Sequence, residues 1–333
     1  MRSIDIHTHL VPQCMWNILN AGGEWYGMKY NNADKTELFI KEGRVRAIPT
    51  KVRYTAEQRL EDMDTEGTDV QVVSVHTQIF GYHLDPAQGL AQAKDINDEI
   101  ASMVERWPQR FAGMATLPMQ DVNAAINELD RAVHRLGLKG AELDTVVNGK
   151  SWDESEYLPL FKAAESMGAV LFYHPQPQDN ILMGKVNRYG LPNSVGVTLE
   201  DTMVVGTLIF GGILDKCPDL KVCIAHGGGP ACFGMGRLDR GWQVRSEARV
   251  NINHPPSYYQ SKLYYDTVVM SESALRFLID TVGIERVVLG SDYPFVGWDP
   301  SPGGWVQSLE SLTQEEKDRI LWKNLEGLLG LGD

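Results

Sequence analysis

The sequence predicts a (β/α)8 barrel. Short apolar runs rich in β-branched residues recur along the 333 residues, and most of them are followed by a stretch with helical periodicity. Eight strand–helix units can be counted in this way, and strict alternation with a count of eight favours a closed barrel over an open parallel sheet. We therefore expect one barrel domain over residues 1–333, with its active site at the carboxyl ends of the strands.

The eight predicted strands are short and apolar throughout, which is typical of parallel strands that are buried on both faces. In chain order they cover residues 3–7, 68–75, 111–116, 138–143, 169–174, 220–226, 262–267 and 286–292. Each parallel strand needs a crossover that returns the chain to the same end of the sheet, and amphipathic helices supply it. The clearest helical patterns cover residues 55–67, 87–107, 122–137 and 271–283.

Residues 10–55, between the first strand and its helix, show no clear periodicity. A connection of this length in a compact domain is usually a functional cover or a disordered segment. The aromatic residues of this insertion and its place over the barrel mouth favour a lid. Residues 175–198 are a second candidate of the same kind.

Composition limits the partners and the compartment. The formal net charge of −13 argues against nucleic acid or an anionic membrane as a partner, because negative charge repels phosphates. The four cysteines form no CxxC pair and no disulfide framework. No window approaches the length of a membrane span, and the first residues lack the apolar stretch of a signal peptide. We therefore expect a soluble, cytoplasmic protein that acts on a small molecule.

Metal-binding side chains collect at the predicted strand ends. His7 and His9 lie at the end of the first strand, and residues two apart in a strand face the same side, so both imidazoles are expected in the barrel mouth. His174 and Asp292 end the fifth and eighth strands and complete a set of three nitrogens and one oxygen. Such a set suits Zn²⁺ best, with Mn²⁺, Fe²⁺ or Co²⁺ as alternatives, and leaves a position for water or substrate.

His226 ends the sixth strand and is free to act as a general acid or base if the other four residues bind the metal. A fourth nitrogen ligand is the alternative reading of His226. A two-metal site is less favoured, because related barrels bridge two metals with a carboxylated lysine at the end of the fourth strand. Here Lys139 begins that strand and Glu142 lies at its end.

The motifs DIHTH, FYHP, IAHGGG and LGSDYPF together resemble the amidohydrolase superfamily, and in particular its decarboxylase branch, the 2-amino-3-carboxymuconate-6-semialdehyde decarboxylase-like family. The resemblance runs through nearly the whole chain. It implies one divalent metal, usually zinc, held by the four predicted ligands, with His226 as acid or base beside Asp292. It also implies that Arg46 binds the substrate carboxylate, and that Arg237 reaches the site of the neighbouring subunit in a homodimer.

The predicted activity is the non-oxidative decarboxylation of a small carboxylated aromatic, heteroaromatic or ring-cleavage compound, without an organic cofactor. Phe80 and Tyr82 are expected to form walls of the substrate pocket, and His76, at the end of the second strand, is a weaker candidate to line it. Gln176 stands where the resemblance leads us to expect an aromatic residue. The substrate is therefore either a muconate semialdehyde or a hydroxylated aromatic or pyridine carboxylate.

Two alternatives to this activity remain. A metal-dependent hydrolase or hydratase would use an activated water to open a lactone or to add to a double bond, and would retain the carbon that a decarboxylase releases as CO2. An inactive scaffold would not need both His226 and Asp292. Within the decarboxylase reading, direct protonation of the ring carbon and prior addition of hydroxide both stay open.

Overall fold

The structure is a computed structural model that describes residues 2–31, 34–40, 44–47, 49–176, 185 and 188–332, with the backbone alone given for the described residues between 30 and 47. The strands in these ranges are β1 (Ile4–Leu10), β2 (Lys29–Asn31), β3 (Asp34–Ile40), β4 (Arg44–Ala47), β5 (Val70–Val75), β6 (Phe111–Gly113), β7 (Gly140–Leu143), β8 (Val170–Tyr173), β9 (Lys221–Ile224), β10 (Tyr264–Asp266) and β11 (Val287–Val288).

The α-helices in the same ranges are α1 (Gln13–Asn20), α2 (Ala56–Glu66), α3 (Pro86–Arg106), α4 (Val122–His134), α5 (Leu158–Met167), α6 (Val197–Phe210), α7 (Ile213–Lys216), α8 (Ala231–Val244), α9 (Pro256–Gln260), α10 (Glu272–Val282), α11 (Pro302–Ser308), α12 (Gln314–Asp318) and α13 (Asn324–Leu329). None of them, over the part of the chain described, combines the length and the apolar character needed to cross a bilayer.

Eight of the strands are parallel and form the predicted (β/α)8 barrel. β1, β5 and β6 pair in one sheet, while β7, β8, β9, β10 and β11 pair in sequence order in a second. Single parallel bridges join the two sheets at both seams, one between Ala115 and Ala141 and one between Thr8 and Tyr293. The predicted fold class is confirmed, with isolated bridges in place of regular ladders at the seams.

The ends of the strands differ from those predicted. The first strand continues to Leu10, because Leu10 pairs with Val75 of β5. The last strand, predicted over residues 286–292, is regular only at Val287–Val288. The chain leaves the ladder there, and Asp292 has a left-handed φ of 57° that a ladder does not accommodate. The turn that follows β11 thus places Asp292 at the mouth of the barrel.

Capping residues fix the helix predicted over residues 55–67. The Thr55 hydroxyl accepts a hydrogen bond from the backbone N–H of Gln58, and the Gln58 side chain accepts one from the backbone of Thr55, which together form a capping box. Gly67 ends the helix with a left-handed φ of 71°. The other three predicted helices agree with α3, α4 and α10 apart from their ends.

The insertion over residues 10–55 contains elements that its sequence pattern did not predict. Helix α1 buries Met15, Trp16 and Leu19, which its three-to-four spacing places on one face. Strands β2, β3 and β4 form an antiparallel sheet. Arg46 belongs to β4, but its side chain lies outside the described residues, as do most of residues 177–187. The lid stays a prediction.

Arg59 of α2 is a buried cation, only 1% exposed, that connects the helix to the barrel. Its guanidinium donates to the Gln71 side chain of β5 at 2.9 Å and to the carbonyl of His9 on β1. The same group lies 4.7 Å from the centre of the Tyr293 ring. One side chain therefore links three segments at the seam between β1 and the loop after β11.

We expect Arg59→Leu to lower the free energy of unfolding by about 3 kcal/mol, because Gln71 and the His9 carbonyl lose a buried donor. Equilibrium denaturation in guanidinium measures this. Arg135→Leu, at the exposed end of α4, is the matched control and should leave the midpoint unchanged. An Arg59 variant as stable as this control would contradict the linking role.

Candidate metal centre

Five polar residues that were predicted at strand ends lie together at the carboxyl end of the barrel. His7 and His9 are on β1, His174 follows β8, His226 follows β9, and Asp292 follows β11. All five side chains are buried. Residues at the ends of strands that are far apart in sequence therefore lie together at the mouth of the barrel.

Asp292 is the centre of this cluster. Its Oδ1 lies 3.4 Å from Nε2 of His7, 3.3 Å from Nε2 of His9 and 4.0 Å from Nε2 of His174. Its other oxygen, Oδ2, lies 3.9 Å from Nε2 of His226. Three imidazoles thus face one carboxylate oxygen, and the fourth imidazole faces the other oxygen.

The donor atoms of the first three imidazoles fit a metal ion. Nε2 of His7, His9 and His174 is buried in each case and has no hydrogen-bond partner among the described residues. A buried polar atom without a partner costs free energy, and a metal ion among these three nitrogens would provide the missing partner. Ligand atoms of His7, His174, His226 and Asp292 also lie within 4.8 Å of one another, which leaves the fourth-ligand alternative for His226 open.

Two of the imidazoles form hydrogen bonds to buried carboxylates through Nδ1, the ring nitrogen that points away from the centre of the cluster. Nδ1 of His7 donates to Oδ2 of Asp266 at 2.6 Å, and Nδ1 of His226 donates to Oδ2 of Asp201 at 2.9 Å. A hydrogen bond at Nδ1 fixes the orientation of the ring and leaves Nε2 to face the site.

Neither of these carboxylates was predicted. Asp266 lies at the end of β10, so the rule that functional residues collect at strand ends would have included it. Asp201 lies inside α6, on a connection between strands, where that rule gives no signal.

The charges in the cluster depend on one another. Burial opposes a charge on His7, but the carboxylates of Asp292 and Asp266 outweigh it and raise the pKa of His7 to about 9. Burial lowers the pKa of His9 to about 4. The pKa of Asp292 lies well below its usual range despite burial, chiefly because charged His7 faces it. The site therefore stabilises an ionised carboxylate together with positive charge, a requirement that a divalent cation satisfies.

Glu142 of β7 is a further buried carboxyl group beside this cluster. Its Oε1 lies 3.5 Å from Nδ1 of His9, and burial raises the pKa of Glu142 to about 8. Glu142, His9 and His174 form a second group of possible ligand atoms within 4.8 Å. This group shares His174 with the group formed by His7, His174, His226 and Asp292, so among the described residues the two groups are adjoining parts of one cluster.

The backbone at the site is unusual for residues that carry side chains. His226 and Asp292 both have left-handed φ angles, of 51° and 57°. Gly227 and Gly229 continue the left-handed backbone after His226, with φ of 60° and 56°, and a side chain at Gly229 would meet the backbone of Thr198. The glycines therefore allow the close approach to α6 that brings His226 beside its partner on that helix.

A cavity of about 220 Å³ opens next to the cluster. This volume restricts the cavity to a small molecule. Besides residues of the cluster, the described side chains around it include Pro49, His76, Gln78, Asn193 and Phe295. Pro49 belongs to the insertion over residues 10–55, so that insertion borders the cavity.

The predicted substrate-binding residues in the described ranges lie elsewhere. Phe80 and Tyr82 are buried in the hydrophobic core with their ring centres 5.5 Å apart, and neither lines the cavity. Arg237 is exposed on α8 and does not line the cavity of its own chain. His76, the weaker candidate, does line it.

Known proteins resemble this chain over almost its whole length. The amidohydrolase family model matches residues 4–331. The 2-amino-3-carboxymuconate-6-semialdehyde decarboxylase of Dictyostelium discoideum is 34% identical over 98% of this chain and 91% of its own length. The gamma-resorcylate decarboxylase of a Polaromonas species is 27% identical over 83% and 87%. The crystal structure of Metarhizium anisopliae IDCase in apo form superimposes with a TM-score of 0.85 over 100% of this chain and 98% of that chain, at 22% identity, which supports the fold.

We expect the purified protein to hold about one divalent metal ion per chain. His174→Ala should lose most of this metal, and Asp266→Asn should bind it about 10–100-fold more weakly, because the ring of His7 loses its orienting partner. Metal analysis by mass spectrometry after dialysis measures both. His134→Ala, exposed on α4, is the control. Full metal content in the His174 variant would contradict the assigned cluster.

Proposed function

The chain belongs to the amidohydrolase family, and from that premise we propose that it is a metal-dependent, non-oxidative decarboxylase of a small carboxylated aromatic, heteroaromatic or ring-cleavage compound. The observation that carries the proposal is the division of the cluster: three imidazoles face one oxygen of Asp292, while His226 faces the other oxygen and the cavity. This division provides a metal side and a proton-transfer side around one carboxylate. The named relatives that are decarboxylases support the reaction class.

We propose Zn²⁺ as the metal, with His7, His9, His174 and Asp292 as its ligands, because three nitrogens and one oxygen suit zinc. A bound divalent ion polarises a carboxylate or water oxygen. The four ligands leave one side of the cluster open toward the cavity, where the substrate would lie.

His226 is the proposed acid. Burial opposes its charge, but Asp201 and then Asp292 outweigh burial and raise the pKa of His226 above its ordinary value, so Nε2 carries a proton. When the bond between the ring carbon and the carboxylate breaks, the electron pair stays on that carbon, which then takes the proton from Nε2. The carbon gains this proton whether the carboxylate leaves directly or after addition of hydroxide. The carboxylate of Asp292, with Oδ2 3.9 Å from Nε2, stabilises the protonated imidazole electrostatically.

A carboxylate substrate in a chain of net negative charge needs a local cation. We propose that Arg46, from the insertion that borders the cavity, and Arg237 bind the carboxylate, since a guanidinium binds a carboxylate with two parallel hydrogen bonds.

We further propose a homodimer in which Arg237 reaches the partner's cavity. Arg237 is exposed and absent from the lining of its own cavity. Phe233, on the same helix, is 83% exposed, and its ring centre lies 6.1 Å from that of the exposed Phe277, so the two form a contiguous apolar surface of the kind that marks contacts between chains. The four cysteines are free, which supports the cytoplasm as the compartment.

The zinc-loaded protein should release CO2 from at least one member of a panel of carboxylated muconate semialdehydes, hydroxybenzoates and hydroxypyridine carboxylates. His226→Ala should lower the rate by about 10²–10⁴-fold while the metal stays bound, because general acid catalysis is lost. Mass spectrometry of CO2 and metal analysis measure both. The exposed His254 gives the control, His254→Ala, with unchanged activity. Substrate consumption without CO2 would move the same site to hydrolysis or hydration.

If Arg237 acts across a dimer, inactive variants should complement each other. Arg237→Ala lacks the anchor, and His226→Ala lacks the acid, but a mixed dimer contains one site with both. Random mixing should therefore restore roughly a quarter of the wild-type CO2 release. Mixing after mild dissociation, followed by the same assay, measures it. Activity no higher than the mean of the two variants would show that Arg237 acts within its own chain or not at all.

A further inference from the structure

His76 is a polar group for which the proposed reaction has no use. It follows β5, is only 6% exposed and lines the cavity beside the metal cluster. Neither of its ring nitrogens has a hydrogen-bond partner within the described part of the chain. An imidazole that is buried without hydrogen bonds destabilises the protein. A ligand in the cavity that forms the missing hydrogen bonds removes this cost.

The position of His76 is fixed by its backbone and by one neighbour. Its N–H donates to the carbonyl of Leu10 at 2.8 Å, and its carbonyl accepts from the N–H of Ile79 at 2.8 Å. The ring of Phe295 lies 4.7 Å away, centre to centre, at an angle of 34°, and covers one face of the imidazole. The edge of the ring, which carries the two nitrogens, is therefore the part available for recognition.

His76 stands beside the metal cluster and outside it. Its ring centre is 6.1 Å from that of His9, and His76 belongs to neither group of described ligand atoms that converge within 4.8 Å. A role in contacting substrate fits this position better than a role as a metal ligand.

Gln78 adds a second polar group to the same wall. It lies in the 3₁₀ turn Thr77–Ile79 and lines the cavity, and its Oε1 is buried without a hydrogen-bond partner among the described residues. A neutral imidazole offers one donor and one acceptor, and the amide oxygen offers a further acceptor. A carboxylate, which only accepts, matches this set poorly. A hydroxyl or amino group, which donates and has a lone pair, matches it well.

We propose that His76 and Gln78 form a subsite for a hydroxyl or amino substituent on the substrate ring, and that His76 selects rings bearing such a group over unsubstituted carboxylates. The carboxylate that is lost lies elsewhere in the cavity, toward His226. This inference rests on the proposed function, because it concerns the substrate of the same site.

The test compares ligands that differ in one group. Benzoate, its ortho-, meta- and para-hydroxy derivatives and ortho-aminobenzoate are measured by calorimetry on the zinc-loaded protein, and CO2 release is recorded for each. At least one substituted ring should bind about 10–100-fold more tightly than benzoate, because buried polar groups reject a ligand that leaves them unpaired. His76→Phe, which keeps the ring beside Phe295, should abolish this preference and change benzoate affinity by less than about threefold.

Three results would overturn the subsite. Equal weakening of benzoate and of the substituted rings would show that His76 only shapes the cavity. An unchanged preference in His76→Phe would show that His76 does not contact the substituent. Loss of metal from the same variant would show that His76 belongs to the metal centre. If His76→Phe does not fold, Gln78→Met provides the test instead. This variant should lose part of the preference for substituted rings. An unchanged preference would count against the subsite.

The design separates this inference from the proposed function. If the wild-type protein binds substituted rings selectively through His76 but releases no CO2 from the wider panel, the subsite stands and the decarboxylase proposal fails. If CO2 is released and the preference is the same in the His76 variant, the decarboxylase stands and the subsite fails. His134→Phe, at an exposed helical position, controls for the added aromatic ring.

Discussion

The carboxylate of Asp292, buried among four imidazoles, is the constraint on which the rest of the site depends. An ionised carboxylate without compensation is very costly inside a protein, so positive charge must accompany it. Without a metal, the rings of His7 and His226, each hydrogen-bonded to a carboxylate, Asp266 and Asp201, can carry that charge. With a metal bound, the ion would supply the charge beside His7, whose ring would then be neutral. In the proposed function, the pair of His7 and Asp266 belongs to the metal side and the pair of His226 and Asp201 to the proton-transfer side.

The barrel seam sets the distances around this carboxylate. Thr8 and Tyr293 form the bridge between β1 and the loop after β11, and each is the immediate neighbour of site residues. The backbone N–H of His9 donates to the carbonyl of Tyr293 at 2.8 Å, and the N–H of Tyr293 donates to the carbonyl of His7 at 3.1 Å. The hydrogen bonds that join the two sheets therefore also fix Asp292 against His7 and His9. Arg59 supports the same seam from α2, so a helix remote from the chemistry bears on the geometry of the metal centre.

Much of this arrangement could be predicted from the sequence, because the regular alternation of strands and helices determines which residues lie at strand ends. Parallel strands end at one rim, so the histidines and Asp292 at strand ends could be assigned to one place without knowledge of the packing. Asp201 could not, because its approach to His226 depends on how α6 packs over the glycines after β9. Phe80 and Tyr82 follow the second strand as His76 does, yet they turn into the core while His76 remains at the cavity. The direction of a side chain after a strand end is decided by local turns, such as Thr77–Ile79, that a periodic pattern does not encode.

The seam between β1 and β11 also has a consequence for biosynthesis. His7 and His9 are translated well before Asp292, and most of the barrel strands lie between them in the sequence. Until Tyr293 has been synthesised, the strand that carries His7 and His9 lacks the neighbour to which it is hydrogen-bonded in the folded protein. Under the proposed ligation, tight metal binding would therefore require synthesis to have reached Asp292, and a chain truncated before this residue would lack both a proposed ligand and the backbone that positions His7 and His9.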